Sequence, residues 1–187
     1  MSNFFNKLSN FFGIKKKSVK VIMIGLNNSG KSTIVSLLKS DSEKSSEIIP
    51  TIGLNVEHFK YQNVFFTAFD MSGQGRYRYL WERYYRNCDG IIFVVDSSDR
   101  LRLAVAKEEL YLLLQHPDVA GRKLPILFLA NKMDVREALS SVKIATAFGL
   151  DRIKDKPWHI FSTNALTGEG LQEGVEWLTE QLCQTVA

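Results

Sequence analysis

Residues 25–32 read Gly-Leu-Asn-Asn-Ser-Gly-Lys-Ser, a Gly-x4-Gly-Lys-Ser pattern that fixes a strand, a loop and a helix together. Before it, Lys20-Val21-Ile22-Met23-Ile24 is an apolar run suited to a buried strand, and after it residues 32–38 continue at helical spacing. Gly25 and Gly30 let the backbone bend until its N–H groups face inward and cradle phosphate oxygens. The helix that follows directs its positive end at the same anion. Lys31 would then reach the β- and γ-phosphates, and the Ser32 hydroxyl would ligate Mg²⁺. The nucleotide contacts expected from this loop are Gly25, Asn28, Ser29, Gly30, Lys31, Ser32 and Thr33.

The order of the remaining elements extends that first unit. Residues 54–61 and 64–69 are rich in aromatic and β-branched side chains, and Gln62-Asn63 between them predicts a hairpin. Residues 91–95 and 125–130 read as buried strands and 159–162 as a short one. Helices are expected over 101–115, capped from Ser97-Ser98-Asp99, over 135–147, and over 169–184, where Leu171, Val175, Leu178 and Leu182 form one stripe. Strands alternating with helices give an α/β fold. The expectation is a single domain over residues 18–187, with a mostly parallel, doubly wound sheet, one antiparallel hairpin strand and helices on both faces. Right-handed crossovers put the site at the C-terminal ends of the strands.

Composition narrows the class. The chain has 187 residues, 45% of them hydrophobic, and no apolar run of transmembrane length. Neither a secretory signal nor a C-terminal prenylation box is expected from its termini. Cys88 and Cys183 are too few for a disulfide framework, which fits a reduced cytosolic compartment. Of the net charge of +4, the first 20 residues carry five lysines and no acid, so the remainder is close to neutral. That points to a local electrostatic contact and not to a nucleic-acid-binding face.

Three further motifs name the nucleotide. In Asp70-Met71-Ser72-Gly73-Gln74, Asp70 can hold Mg²⁺ through a water, the Gly73 N–H can bond the γ-phosphate, and Gln74 can orient the attacking water. Thr51, after Pro50, is the candidate second protein ligand of Mg²⁺, reaching it only when a γ-phosphate orders the loop. In Asn131-Lys132-Met133-Asp134, the Asp134 carboxylate can accept from both N1–H and the 2-amino group of guanine. Adenine lacks those donors and would leave the charge unpaired. Asn131 can tie this loop to the phosphate loop, the Lys132 stem can cover the base, and the Ala165 N–H is the candidate donor to guanine O6. The expected ligands are GTP or GDP with Mg²⁺.

With residues 25–32, Pro50-Thr51-Ile52-Gly53, 70–74, 94–100 and 131–134 together, the chain resembles the small GTPases of the Ras superfamily and closely the ADP-ribosylation-factor-like branch. Residues 69–78, 105–110, 115–118 and 154–159 are similar to those of its ciliary members, which recruit the BBSome coat. The resemblance covers residue 17 to the C-terminus. It implies a GTP-hydrolysing switch at the cytoplasm and membrane periphery, at the cilium or basal body. Its partners would be a coat or effector complex in the GTP state, an activating protein and an exchange factor. The activating protein would supply the arginine finger that this chain does not offer. Three positions depart from the pattern. Ser2 stands where the family often has Gly, so N-myristoylation is not expected. Phe69 and Ser72 stand where many relatives have Trp and Gly. Phe69 is expected to join Leu54 and Tyr84 in an exposed apolar cluster that engages effectors.

Residues 1–17 form a separate segment. At 100° per residue, Phe4, Phe5, Leu8, Phe11 and Phe12 share an arc of about 120°. With Lys15–Lys17 behind them, they describe an amphipathic helix lying in a bilayer interface. The resemblance implies that GDP docks this helix on its own domain. GTP would expel it through a register slide of hairpin 54–69. Two rivals remain at this stage. A small-molecule kinase on the same loop would need an arginine-rich lid that 135–160 does not offer, and would have no use for guanine selectivity. A GTP-holding adaptor without turnover is disfavoured by Gln74.

Overall fold

The structure is a computed structural model describing residues 17–39, 53–61, 64–71 and 74–184. Residues 1–16, Thr51, Ser72 and Gly73 lie outside those described, and with them the amphipathic helix, the second metal ligand and one γ-phosphate donor of the sequence reading. The strands are β1 (Lys17–Ile24), β2 (Leu54–Tyr61), β3 (Val64–Met71), β4 (Gly90–Asp96), β5 (Ile126–Asn131) and β6 (Trp158–Ser162). The helices are α1 (Lys31–Leu38), α2 (Glu82–Tyr85), α3 (Leu103–Gln115), α4 (Ser141–Phe148) and α5 (Leu171–Gln184).

The sheet runs β2-β3-β1-β4-β5-β6. All neighbours are parallel except β2 and β3, which pair antiparallel from Leu54↔Met71 to Tyr61↔Val64. This is the expected architecture. The central strands carry apolar runs, 21–24, 91–95 and 126–130, because both faces are covered there. Ile22, Ile24, Phe93, Val95 and Phe128 point to one side, against Trp81, Leu110, Ile144 and Phe148. Val21, Met23, Ile92, Val94 and Leu129 point to the other, against Ile34, Val175, Leu178 and Leu182. The predicted stripe of the last helix is thus its buried face.

Gly90 shows how closely that helix lies. A Cβ there would stand 3.4 Å from Leu178 Cδ1 and Leu182 Cδ2. Next to it, Asp89 N–H donates to Lys20 O at 2.7 Å.

Three helix boundaries differ from the sequence reading, and competing hydrogen bonds explain them. The helix expected over 135–147 forms only over Ser141–Phe148. Leu139 N–H is taken by Ser97 O at 2.8 Å, and the Ser140 side chain accepts from Lys143 N–H at 3.4 Å, which starts the helix there. Gly149, in the left-handed region, closes it. The helix expected from 101 begins at Leu103; Leu101 is fully exposed, and Asp99 receives the Arg102 N–H at 3.2 Å. The last helix begins at Leu171, because Glu169 bridges Asn164. A tight helical turn over Gly75–Leu80 and the short α2 were not anticipated; their sequence has no helical stripe.

Candidate functional site

The phosphate loop leaves β1 at Ile24 and closes onto α1. Its tightness is steric. At Gly25, with φ 144°, a Cβ would lie 2.2 Å from Val94 O; at Gly30, with φ 98°, it would lie 2.2 Å from Asn131 Nδ2. Neither position admits a side chain. Asn28 also sits in the left-handed region, at φ 62°. Ser29 is buried beside Gly25, and its Oγ has no hydrogen-bond partner among the described residues. Lys31 folds back across the loop and donates to Leu26 O at 3.0 Å. Burial pushes its ammonium down to about 8; Asp70 opposes the shift and Arg78 adds to it. Thr33 lies in the first turn of α1, half-buried.

Asp70 is buried at the end of β3, and its Oδ2 accepts from Ser32 Oγ at 2.6 Å. The two expected metal-associated side chains of α1 and β3 are therefore in contact. They form a set of hard oxygen donors of the kind Mg²⁺ takes, with few protein ligands. Among the described residues, no cluster of three or more His, Cys, Asp or Glu exists to hold a metal by protein alone. Gln74 is half-buried, and its Oε1 accepts from Arg76 Nε at 3.3 Å. Arg78 pairs with Glu109 of α3. Leu54, Phe69 and Tyr84 do cluster, the last two with ring centroids 5.0 Å apart, but all three are half-buried against the core. The expectation of an exposed cluster is corrected to that extent, since α2 folds Tyr84 onto the sheet.

On the base side, Asn131 is the hub. Its Nδ2 donates to Ser29 O at 2.8 Å, and its Oδ1 accepts from Ala165 N–H at 3.0 Å and Thr163 Oγ1 at 3.3 Å. One buried amide thus joins the phosphate loop, the end of β5 and the loop after β6. The Ala165 N–H, expected at guanine O6, is directed at Asn131 in this structure. Lys132 has φ 67°, and its Nζ lies 2.7 Å from Asp96 Oδ2. Burial alone would raise the Asp96 carboxyl, but hydrogen bonds from Lys132 and Ser98 outweigh it and hold it below the usual range. Asp134 is exposed, with no protein partner among the described residues. Sequence reasoning gave Asp96, within the 94–100 match, and Thr163, two residues before Ala165, no role of their own, and missed Arg102. An acid at the end of β4, in register with Asn131 of β5, was the available signal.

Comparison with known proteins gives a consistent result. The model of the ADP-ribosylation factor family matches residues 4–182. The chain is 56% identical over 178 residues to ADP-ribosylation factor-like protein 6 of Danio rerio, covering 95% of this chain and 96% of that protein. It is 46% identical over 179 residues to the protein of that name from Caenorhabditis elegans, covering 96% and 94%. A solved structure described as the Arl6 BBS3 small GTPase from Trypanosoma brucei, with bound nucleotide analogue GppNp, matches with a TM-score of 0.84. Its sequence identity is 42%, and the match covers 90% of this chain and 99% of that one.

Proposed function

The chain belongs to the ADP-ribosylation factor family, and from that premise we propose that it recruits a coat complex, the BBSome, to ciliary membranes in its GTP state. As a member of that family it is a small GTPase, a switch that binds guanine nucleotide and hydrolyses GTP to GDP. The observation that carries the site assignment is the Asn131 Nδ2 bond to Ser29 O at 2.8 Å, which sets the phosphate-binding and base-binding loops side by side.

In this reading the backbone of Gly25, Asn28, Ser29, Gly30 and Lys31 holds the phosphates, with the side chains of Lys31 and Thr33 beside them. Lys132 covers the base, Asp134 accepts from its N1–H and 2-amino group, and Ala165 faces O6. Ser32 and Thr51 would ligate Mg²⁺, with Asp70 holding it through a water; when bound, the ion neutralises charge on the phosphate oxygens. Gln74 orients the attacking water and the Gly73 N–H meets the γ-phosphate. With Arg76 on Gln74 and Arg78 on Glu109, the transition-state charge falls to an arginine from an activating protein. Residues 1–17 contact the membrane through their aromatic arc and lysines.

Calorimetry tests the nucleotide assignment: GDP should bind at least about a hundredfold tighter than ADP, because Asp134 loses both partners with adenine. Asp134→Asn should shift preference toward xanthine nucleotides. Equal affinity for ADP and GDP would refute the site. A pull-down from ciliated-cell extract with protein carrying a GTP analogue or GDP tests the coat: BBSome subunits should appear only with the analogue. For the membrane, unmodified GTP-loaded protein should float with anionic vesicles at low salt, and Phe4→Ser with Phe11→Ser should end that binding.

A further inference from the structure

Arg102, directly before α3, belongs to neither nucleotide loop, yet its side chain contacts both sides of the site. Its guanidinium is engaged in three directions. Nε donates to Asp99 Oδ2 at 2.5 Å. Nη1 donates to Asn27 O at 3.0 Å and approaches Asn27 Oδ1 at 3.4 Å. Nη2 lies 4.0 Å from Asp96 Oδ2, the oxygen that also receives Lys132 Nζ. A planar, rigid fork fixes these directions relative to one another, which a lysine cannot do.

The chain of contacts therefore runs from the phosphate loop at Asn27, through Arg102 and Asp96, to Lys132 of the base loop. Both ends adjoin backbone that ordinary side chains resist: Asn28 follows Asn27 at φ 62°, and Lys132 itself is at φ 67°. Such conformations persist only where neighbouring contacts hold them. The Asn131–Ser29 bond holds the two loops together on the buried side. On the outer side, Arg102 reaches the phosphate loop directly at Asn27 and Lys132 through Asp96.

We propose that Arg102 is a positioning residue for nucleotide retention, an outer clasp that keeps the phosphate loop and Lys132 in fixed relation while the nucleotide is bound. This rests on the guanine-nucleotide reading of the site. Release needs the two loops to loosen together, so loss of the clasp speeds dissociation more than it slows association.

The test is release of a fluorescent GDP analogue from the full chain, followed by stopped flow, for wild type, R102A, R102K and D99N. R102A should release about tenfold faster, the effect of one charge-assisted hydrogen bond weakened by solvent. R102K should stay severalfold fast, because lysine can pair with Asp99 without holding Asn27. D99N should also release faster. Added salt should speed wild-type release more than that of R102A, because the Asp99 pair is half-exposed. An arginine with only a structural role would lower the melting temperature in R102A and leave GDP release unchanged. Release by R102A within twofold of wild type, or full rescue in R102K, overturns the clasp; should R102A fail to fold by circular dichroism, R102K and D99N decide. Wild type that does not retain GDP over ADP would instead overturn the nucleotide reading, and the clasp with it.

Discussion

Lys31 holds its charge in a place that disfavours it. Burial lowers it from 10.5 to about 8, so an unfolded chain binds more protons than the folded one between those values. The sign follows: the nucleotide-free fold carries the full cost of the buried ammonium below pH 8 and becomes more stable as pH rises from there toward 10.5. Phosphate oxygens beside the amine, as proposed, would reverse the preference. GDP binding should therefore take up protons at pH 8.5 and almost none at pH 6.5. Calorimetry in buffers of different ionisation enthalpy reads this directly; uptake independent of pH would show that Lys31 does not meet the phosphates. Asn131→Ala should be costly in a different way. It strands Ser29 O and the Ala165 N–H, about 1–3 kcal/mol for each buried group left without a partner, and GDP release should rise accordingly. Residues 25–32 and 131–134 were legible in the sequence because each motif is contiguous and its chemistry local. Asp96, Arg102 and Thr163 were not, because their partners come from chain segments up to 75 positions away.

Strands and helices with a single strong period were recovered nearly whole. β4 and β5 are apolar up to their last residues, Asp96 and Asn131, and α5 carries one stripe. Where the reading failed, a side-chain or loop hydrogen bond competed with the helix, as at Leu139 and Ser140. The edge strand β2 makes a contact that no sequence period announces: Tyr61 Oη donates to Glu176 Oε1 of α5 at 2.7 Å, with Gln172 Nε2 at 3.0 Å on the same oxygen. These bonds hold the Glu176 carboxyl below its usual range. Its contribution to stability is present above the ordinary carboxylate value and is lost as pH falls through the lowered one. Tyr61→Phe should raise the Glu176 midpoint, measurable by carbon-13 NMR of the carboxyl. An unmoved midpoint would mean that the bond is not held in solution.

At the scale of the whole molecule, one sheet separates two cores, and both depend on it. Phe93 faces the α3 side, with ring centroids 5.8 Å from Phe128 and 6.4 Å from Phe148. Phe93→Ala should destabilise the domain by about 3–5 kcal/mol in urea unfolding. Saturating GDP should return part of that loss, since a ligand bound only by the folded state stabilises it by mass action. A variant whose melting GDP does not raise would show that the cavity has distorted the adjoining site. The same sheet brings distant parts of the chain together. Lys20 O is bonded to Asp89, and the next residue, Gly90, is packed under Leu182. The first and last described elements are therefore neighbours across a single strand end. A fluorescent protein appended after α5 would stand close to β1, the strand that follows the segment proposed to contact the membrane, so a localisation experiment built on it would partly measure the tag.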